Sequence, residues 1–458
     1  MRVEHDMLGE KEVPATVYWG IHTQRALENF PFASGRVPFE LIRAMAMVKR
    51  AAAGANRDLG YLSAEKAAAI ITACDEIMAG QLTDQFPLDA LQGGAGTSTH
   101  MNVNEVIANR GLEILGRDKG DYAGLHPLQD VNLHQSTNDV YPTAVKVAAI
   151  LELKRLSDAI ALLQGALQRK EKEFADIIKL GRTEMQDAVP ITLGSEFSGW
   201  AEAVARDRWR TFKCEERLRV VNIGGTAVGT GIGAPRDYIF LVIEKLREAT
   251  GLGLSRAENL VGETANADTF VEVSGILKAH MVNILKMSNE LRLMNMLGEI
   301  KLPSVQAGSS IMPGKVNPVI LEAASQAAMK VIANDALVTE AASRATGQIV
   351  EFMPLLADAL LGSLLLLNRI NAVLARHIEA IRADEARCRY YVDKSRTIIT
   401  AFVAKVGYDR CNALLKEFEA TGKENLRAFL EEALGAEMVG RVLSSHNLVG
   451  LGHREPHG

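Results

Sequence analysis

Aromatic residues make up only 5% of this 458-residue sequence, and neither sign of charge dominates: 51 lysines and arginines face 56 aspartates and glutamates, for a formal net charge of −5. That balance leaves no basic footprint for a nucleic-acid partner. With 48% hydrophobic and 23% charged residues the chain is globular rather than disordered. Cysteine is sparse, and Cys74, Cys214, Cys388 and Cys411 lie too far apart for a local C-x-x-C metal or redox pair, so reduced, mostly buried thiols of a cytoplasmic protein are expected. The histidines form no H-E-x-x-H or H-x-H group, and His126 and His134 straddle Pro127 without an acidic cluster at ligand spacing, which points to no catalytic metal; no cofactor is expected. Long hydrophobic runs are missing too. The longest, "ALLGSLLLL" between Asp358 and Asn368, falls far short of a membrane span. The N-terminal "MRVEHDMLGE" has acidic residues and no apolar core, so it does not read as a secretory signal, and no membrane partner is expected.

β-Branched alternation is absent outside a few residues near Val13 to Tyr18, which leaves a mostly α chain. At roughly 150 residues per domain, the length allows one large domain or about three ordinary ones. Between Val145 and Phe174 there is no proline, and Leu153, Leu156, Ile160, Leu163 and Leu167 step by three and four, the pattern of a helix-bundle seam. Val273, Leu277, Met281, Ile284 and Leu291 mark a second long helix. Helices of this length predict an elongated bundle. The connectors "GGAGTSTHMN", "HQSTNDVYPT", "GRTEMQDAVP", "GGTAVGTGIGAP" and "GSSIMPGKVNP" read as turns between them, the usual place for a site.

"GGTAVGTGIGAP" invites comparison with a phosphate loop. It lacks the lysine and hydroxyl of that motif and no βαβ pattern surrounds it, so a turn between helices fits better. The connectors are instead rich in neutral donors: Thr97, Ser98, Thr99, Ser136, Thr137, Asn138 and Thr183, with Lys315 and Asn317 adding a cation and an amide. Taken singly, each such residue suits a helix cap or a turn. Converging, they suit a carboxylate, or an anion that develops during a reaction.

"GSSIMPGKVNP" closely resembles the signature of the fumarase/aspartase superfamily, whose members eliminate across a C–C single bond to give fumarate. "WGIHTQRALENF", "DQFPLDALQGGAGTSTHMNVNEV", "HQSTNDVYPTA", "GRTEMQDAVPITLGSEF" and "IGGTAVGTGIGAP" resemble further blocks of that family in family order, over residues 3 to 375. The resemblance implies three helical domains, here 1–138, 139–378 and 379–458. It also implies a central bundle that forms a twenty-helix core in a homotetramer, with each active site assembled from three subunits.

Carried over by position, the resemblance makes Ser309 the base that removes a proton next to a carboxylate. Thr97, Ser136, Thr137 and Ser310 then stabilise the aci-carboxylate, Lys315 and Asn317 hold substrate carboxylate, and Asn138 and Thr183 make further substrate contacts. A neutral serine is a poor base and needs activation, which backbone N–H groups of a turn bracketed by Gly308 and Gly314 can supply. Fumarases carry histidine after "GRT", paired with a glutamate that matches Glu322. Here the residue is Glu184, suited to the ammonium of an amino-acid substrate, or, in the bland reading, to capping a helix near Asp187 or pairing with Arg182.

"GGAGTS", "QSTND" and "QDAVP" resemble aspartate ammonia-lyases more than fumarases. Fumarate hydration, another C–N elimination and an inactive structural homologue remain alternatives. Two departures from the family pattern are short segments, after Asn295 and near Gln348, and "HPLQD" departs from the secondary anion site of fumarases.

Overall fold

A helix with an apolar stripe must bury that stripe, and both seams do. In the computed structural model, which describes residues 1–450, the first seam lies on the helix Thr137–Glu173 and the second on Asp268–Leu297. Leu153, Leu156, Ile160, Leu163 and Leu167 are at most 2% exposed, and Val273, Leu277, Met281, Ile284 and Leu291 at most 1%. Leu193–Leu218, Val319–Ser343 and Met353–Glu379 complete the set of long helices, so the chain is mostly α as expected. Met353–Glu379, which contains the leucine run noted above, is by length and composition long enough to cross a membrane, although 56% of its most apolar window is buried inside the protein. Counting only the unbroken run missed this. Leu356, Leu360, Leu364, Leu367 and Leu374 on this helix are at most 1% exposed, as in a core helix.

By compactness the chain forms two units, one of residues 1–157, 210–279 and 330–368, the other of residues 158–209, 280–329 and the chain from 369 onward. In the first unit, Phe39–Asp58 packs on Ala64–Met78 and on Arg236–Thr250, and Ala64–Met78 on Thr97–Ile114. An antiparallel hairpin, Arg2–Asp6 with Gly9–Val13, opens the chain. The buried Glu105 carboxylate accepts the backbone N–H groups of Gly20, His22 and Thr23 and so ties the start of Ile21–Asn29 to Thr97–Ile114. The short segment near Gln348 is a tight turn in which Thr346 bridges Ile349, Gly347 is left-handed at φ +64°, and Thr346 bonds Glu351.

In the second unit "GRTEMQDAVP" is not a helix connector but most of a β-hairpin, Ile178–Thr183 with Gln186–Thr192. The sequence hides it for two reasons. Gly181 and Pro190 interrupt the alternation, and the two-residue turn lacks the Asn-Gly or Asp-Gly signal such turns favour. No helix begins near Asp187 either; the next one starts at Leu193. Leu180 is fully buried in an apolar cluster with Val392, Ile398, Phe402, Leu414 and Leu430 of the C-terminal helices.

The short segment after Asn295 also has a defined course. Gly298 ends the Asp268–Leu297 helix at φ +81°, Glu299 turns inward, and Ile300–Lys301 pairs antiparallel with Arg382–Ala383. The Glu299 carboxylate, fully buried, accepts from Arg182 Nη1 at 2.7 Å and lies 3.3 Å from Lys179 Nζ, which also bonds Glu196 at 2.9 Å. Two cations against two carboxylates leave no net buried charge, and the knot ties the hairpin root to the start of the signature-loop segment. All four cysteines are free and buried. Burial pushes the thiols of Cys214 and Cys388 up to about 12, which makes them poor nucleophiles.

Candidate active site

The signature loop runs from Leu302 to Pro318 without regular structure, as its glycines and prolines dictate. It closes on itself. Gly308 N–H donates to Lys315 carbonyl at 2.8 Å, and Asn317 Nδ2 donates to Gly308 carbonyl at 2.7 Å. A Cβ on Gly308 would lie 2.8 Å from Lys315 carbonyl oxygen and from Asn317 nitrogen, so only glycine admits this approach. Within the loop Ser309 Oγ accepts the backbone N–H groups of Met312 at 2.9 Å and Ile311 at 3.2 Å. Two peptide dipoles therefore point at the hydroxyl oxygen, the arrangement that favours negative charge on it. Ser310 and Lys315 are exposed, and Lys315 has no carboxylate partner among the described residues. Glu322 lies half-buried in the first turn of Val319–Ser343.

Thr183 and Glu184 stand at the tip of the 178–192 hairpin. Glu184 and Met185 are its two turn residues, at φ 52° and 61°, a left-handed backbone that costs non-glycine residues roughly 1 kcal/mol or more each. Positive φ at both central residues is what a tight two-residue hairpin turn of the type I′ kind demands. The Glu184 carboxylate has no partner among the described residues. Arg182, offered above as its mate, is engaged with Glu299 at 2.7 Å and lies 3.6 Å from Asp187. No hydrogen bond links this tip to the signature loop among the described residues.

In the first unit, "GGAGTSTHMN" is the start of a helix rather than a free connector. Thr97 opens the helix Thr97–Ile114 and its hydroxyl donates to Gly94 carbonyl at 2.7 Å. Gly96, left-handed at φ +92°, lies against the Tyr141 ring, where a Cβ would sit 2.2 Å from a ring carbon. That close approach brings Thr97 beside the first turn of Thr137–Glu173, which carries Thr137 and Asn138, with Ser136 just before it.

Pro142, the sixth residue of this helix, cannot donate to Asn138 carbonyl; Asn222 Nδ2 fills the gap at 2.9 Å. Asn138 Nδ2 donates to Ala227 carbonyl at 2.7 Å. Of the residues expected in the site, Thr97, Ser136, Thr137 and Asn138 are thus gathered in one unit. Thr183, Glu184, Ser309, Ser310, Lys315, Asn317 and Glu322 belong to the other, on separate elements.

Sequence reasoning missed Asp139, the acidic residue inside "QSTND". Its buried carboxylate accepts the N–H groups of Ser136 at 2.9 Å and of Gly224 and Thr226 at 3.0 Å. Burial pushes its carboxyl up to about 6 against the pull of those three donors. "GGTAVGTGIGAP" therefore cradles an anion, but one supplied by the protein itself, and it holds the Ser136 turn in place. Also missed were Lys49 and His100, both essentially buried. A lone lysine in the apolar run "MAMVKRAAAGA" was the available signal. Among the described residues no three histidines, cysteines or carboxylates are grouped as a metal would require.

A long-helix fold with these loops defines a class, and comparison with known proteins agrees with it. A family model described as lyase matches residues 9–333. The chain belongs to this lyase family, within the fumarase/aspartase superfamily, and is an enzyme. An aspartate ammonia-lyase of a Bacillus species is 42% identical over 98% of this chain and 97% of its own length, and that of Escherichia coli K12 is 42% identical over 98% and 96%. Among solved structures, a fumarate lyase:delta crystallin from Brucella melitensis, bound to cobalt, is 44% identical with a TM-score of 0.94, covering 98% of this chain and 100% of that one. A class II fumarase from Schistosoma mansoni is 30% identical, with a TM-score of 0.90 over the whole of both chains.

Proposed function

We propose that the protein is an aspartate ammonia-lyase, a carbon–nitrogen lyase that reversibly eliminates ammonia from L-aspartate to give fumarate. The observation that carries the mechanism is the pair of backbone N–H groups on Ser309 Oγ. They stabilise the alkoxide, which takes a proton from the carbon beside the β-carboxylate. The electron pair left behind spreads into that carboxylate as an aci-carboxylate. Hydroxyls of Thr97, Ser136, Thr137 and Ser310 stabilise this dianion. The pair then returns to form the C=C bond as the C–N bond breaks and ammonia leaves. Lys315 and Asn317 hold substrate carboxylate, Asn138 and Thr183 add contacts, and Glu322 supports the site from behind. The loop between Gly308 and Gly314 closes over substrate and excludes water.

Glu184 selects the amine. Its unpartnered carboxylate on a strained tip suits an ammonium, and malate offers only a hydroxyl there. The second reading, fumarate hydration, has in its favour the likeness to the class II fumarase. An ultraviolet assay for fumarate from aspartate, with malate in parallel, separates the two; turnover of malate alone overturns our reading. Glu184→Gln is expected to remove a charge-assisted contact of about 1.5 to 3 kcal/mol, a loss of about 10- to 100-fold in kcat/KM for aspartate. Succinate, which lacks the ammonium, should bind the variant no worse. Equal losses for both ligands would make Glu184 structural.

The working enzyme we propose is a cytoplasmic homotetramer of three-domain subunits in which each site draws loops from three chains. Mixing an inactive Thr97 variant with an inactive Ser309 variant, then unfolding and refolding them together, is expected to restore part of the activity. Hybrid tetramers that remain inactive would count against shared sites.

A further inference from the structure

Lys49, on the helix Phe39–Asp58, has no exposed surface, and an ammonium survives such burial only when its donors are met. Its Nζ has three neighbours at hydrogen-bond distance: Asn132 Oδ1 and Gln135 Oε1 at 2.8 Å, and His100 Nε2 at 2.5 Å. Both amides are held in one orientation. Asn132 Nδ2 donates to Gln135 carbonyl, and Gln135 Nε2 donates to the carbonyls of Val131 and Leu133, so their oxygens must face the lysine. On its other side the His100 ring places Nδ1 2.9 Å from Thr137 Oγ1.

Hydrogen counting leaves two arrangements. With three hydrogens on Nζ, His100 Nε2 accepts, Nδ1 carries the ring hydrogen and donates to Thr137, and the Thr137 hydroxyl hydrogen is free to point elsewhere. With a neutral amine, Nε2–H donates to Nζ, Nδ1 accepts from Thr137, and that hydroxyl hydrogen is consumed inside the protein. Asn132 and Gln135 accept in either arrangement, so the choice turns on Nε2, and there an ammonium offsets the buried Asp139 carboxylate that acts on it. Burial pulls both Lys49 and His100 well below their ordinary values, and the buried Asp139 carboxylate opposes this at Lys49.

We propose that Lys49, as a buried cation, fixes His100 in the tautomer with its hydrogen on Nδ1, so that Thr137 accepts from His100 and turns its own hydroxyl hydrogen toward the substrate anion. Lys49 and His100 are positioning residues; Thr137 alone touches substrate. The inference rests on the reading of Thr137 as a donor to the aci-carboxylate. It adds that this donor is aimed and polarised by a chain beginning at a buried charge.

Neutron diffraction from crystals of the full-length protein exchanged into heavy water reads the hydrogens without altering any residue. Three deuterons on Lys49 Nζ, one on His100 Nδ1 and none on Nε2 are expected; deuterium on Nε2 overturns the proposal. Kinetics supply the functional half. Lys49→Met with His100→Leu exchanges the buried polar pair for apolar side chains, and the Asp139 carboxylate keeps its three N–H donors. This pair is expected to lower kcat about tenfold with KM nearly unchanged, because the aimed donor acts on the transition state. Made in a Thr137→Val background, the pair should cost less than about twofold more. Equal losses in both backgrounds would mark the two residues as merely structural. Deuterium on Nδ1 together with a silent Thr137→Val would overturn the proposal through the role of Thr137 in the site, leaving the hydrogen-bond chain itself correct.

Discussion

Ser309→Ala is expected to lower kcat by about 10³-fold or more while leaving the binding of a substrate analogue such as succinate nearly unchanged. Positioned proton transfer contributes on the order of 10² to 10⁴ in rate, and in the proposed mechanism the base is the same oxygen that accepts the two loop N–H groups. The alanine variant removes the base and leaves the carboxylate anchors in place. Steady-state kinetics and calorimetric titration with succinate check the two halves. A variant that keeps a tenth of wild-type kcat would show that another group takes the proton.

Lys315→Ala is expected to act through binding instead. The ammonium is exposed and free of any carboxylate among the described residues, so its charge is available to substrate. Truncating one partner of a charge pair in a closed site costs about 2 to 5 kcal/mol, much of it the penalty of leaving the other charge unpaired. That corresponds to a rise in KM of roughly 30-fold to several thousandfold. An unchanged KM would remove Lys315 from the site. The backbone of Lys315 has a separate task, since its carbonyl accepts from Gly308 and closes the loop. Alanine keeps that bond, so the substitution isolates the side chain.

The contrast with Asn317 shows how the loop divides its labour. One amide hydrogen of Asn317 is committed to Gly308 carbonyl at 2.7 Å, which leaves one for a ligand. Asn317 is therefore a latch and, in the proposed site, a contact as well. A substitution there would blur folding of the loop with binding, which is why Lys315 is the cleaner test.

By itself the sequence determined the long helices, because a buried stripe leaves its period in the order of residues: Leu153 to Leu167 and Val273 to Leu291 are buried as that period requires. It determined the family as well, through blocks such as "GSSIMPGKVNP" whose order and wording are local properties of the chain. What it could not reveal were pairings between residues far apart in the chain. The Glu184–Met185 hairpin stayed hidden because its turn adopts a left-handed backbone without the glycine that usually announces one. Glu299 and Arg182 are 117 positions apart, and only folding makes them a buried ion pair.

The same holds for the polar interior of the first unit. Asp139 lies within the quoted "QSTND", yet its role depends on Gly224 and Thr226, over 80 positions on. The place of Lys49 in an apolar run hinted at burial, but its partners His100, Asn132 and Gln135 are assembled only by folding. A residue's type states which bonds it is able to make. Burial, by removing water as the alternative partner, decides which of them it must make, and burial is a property of the tertiary structure.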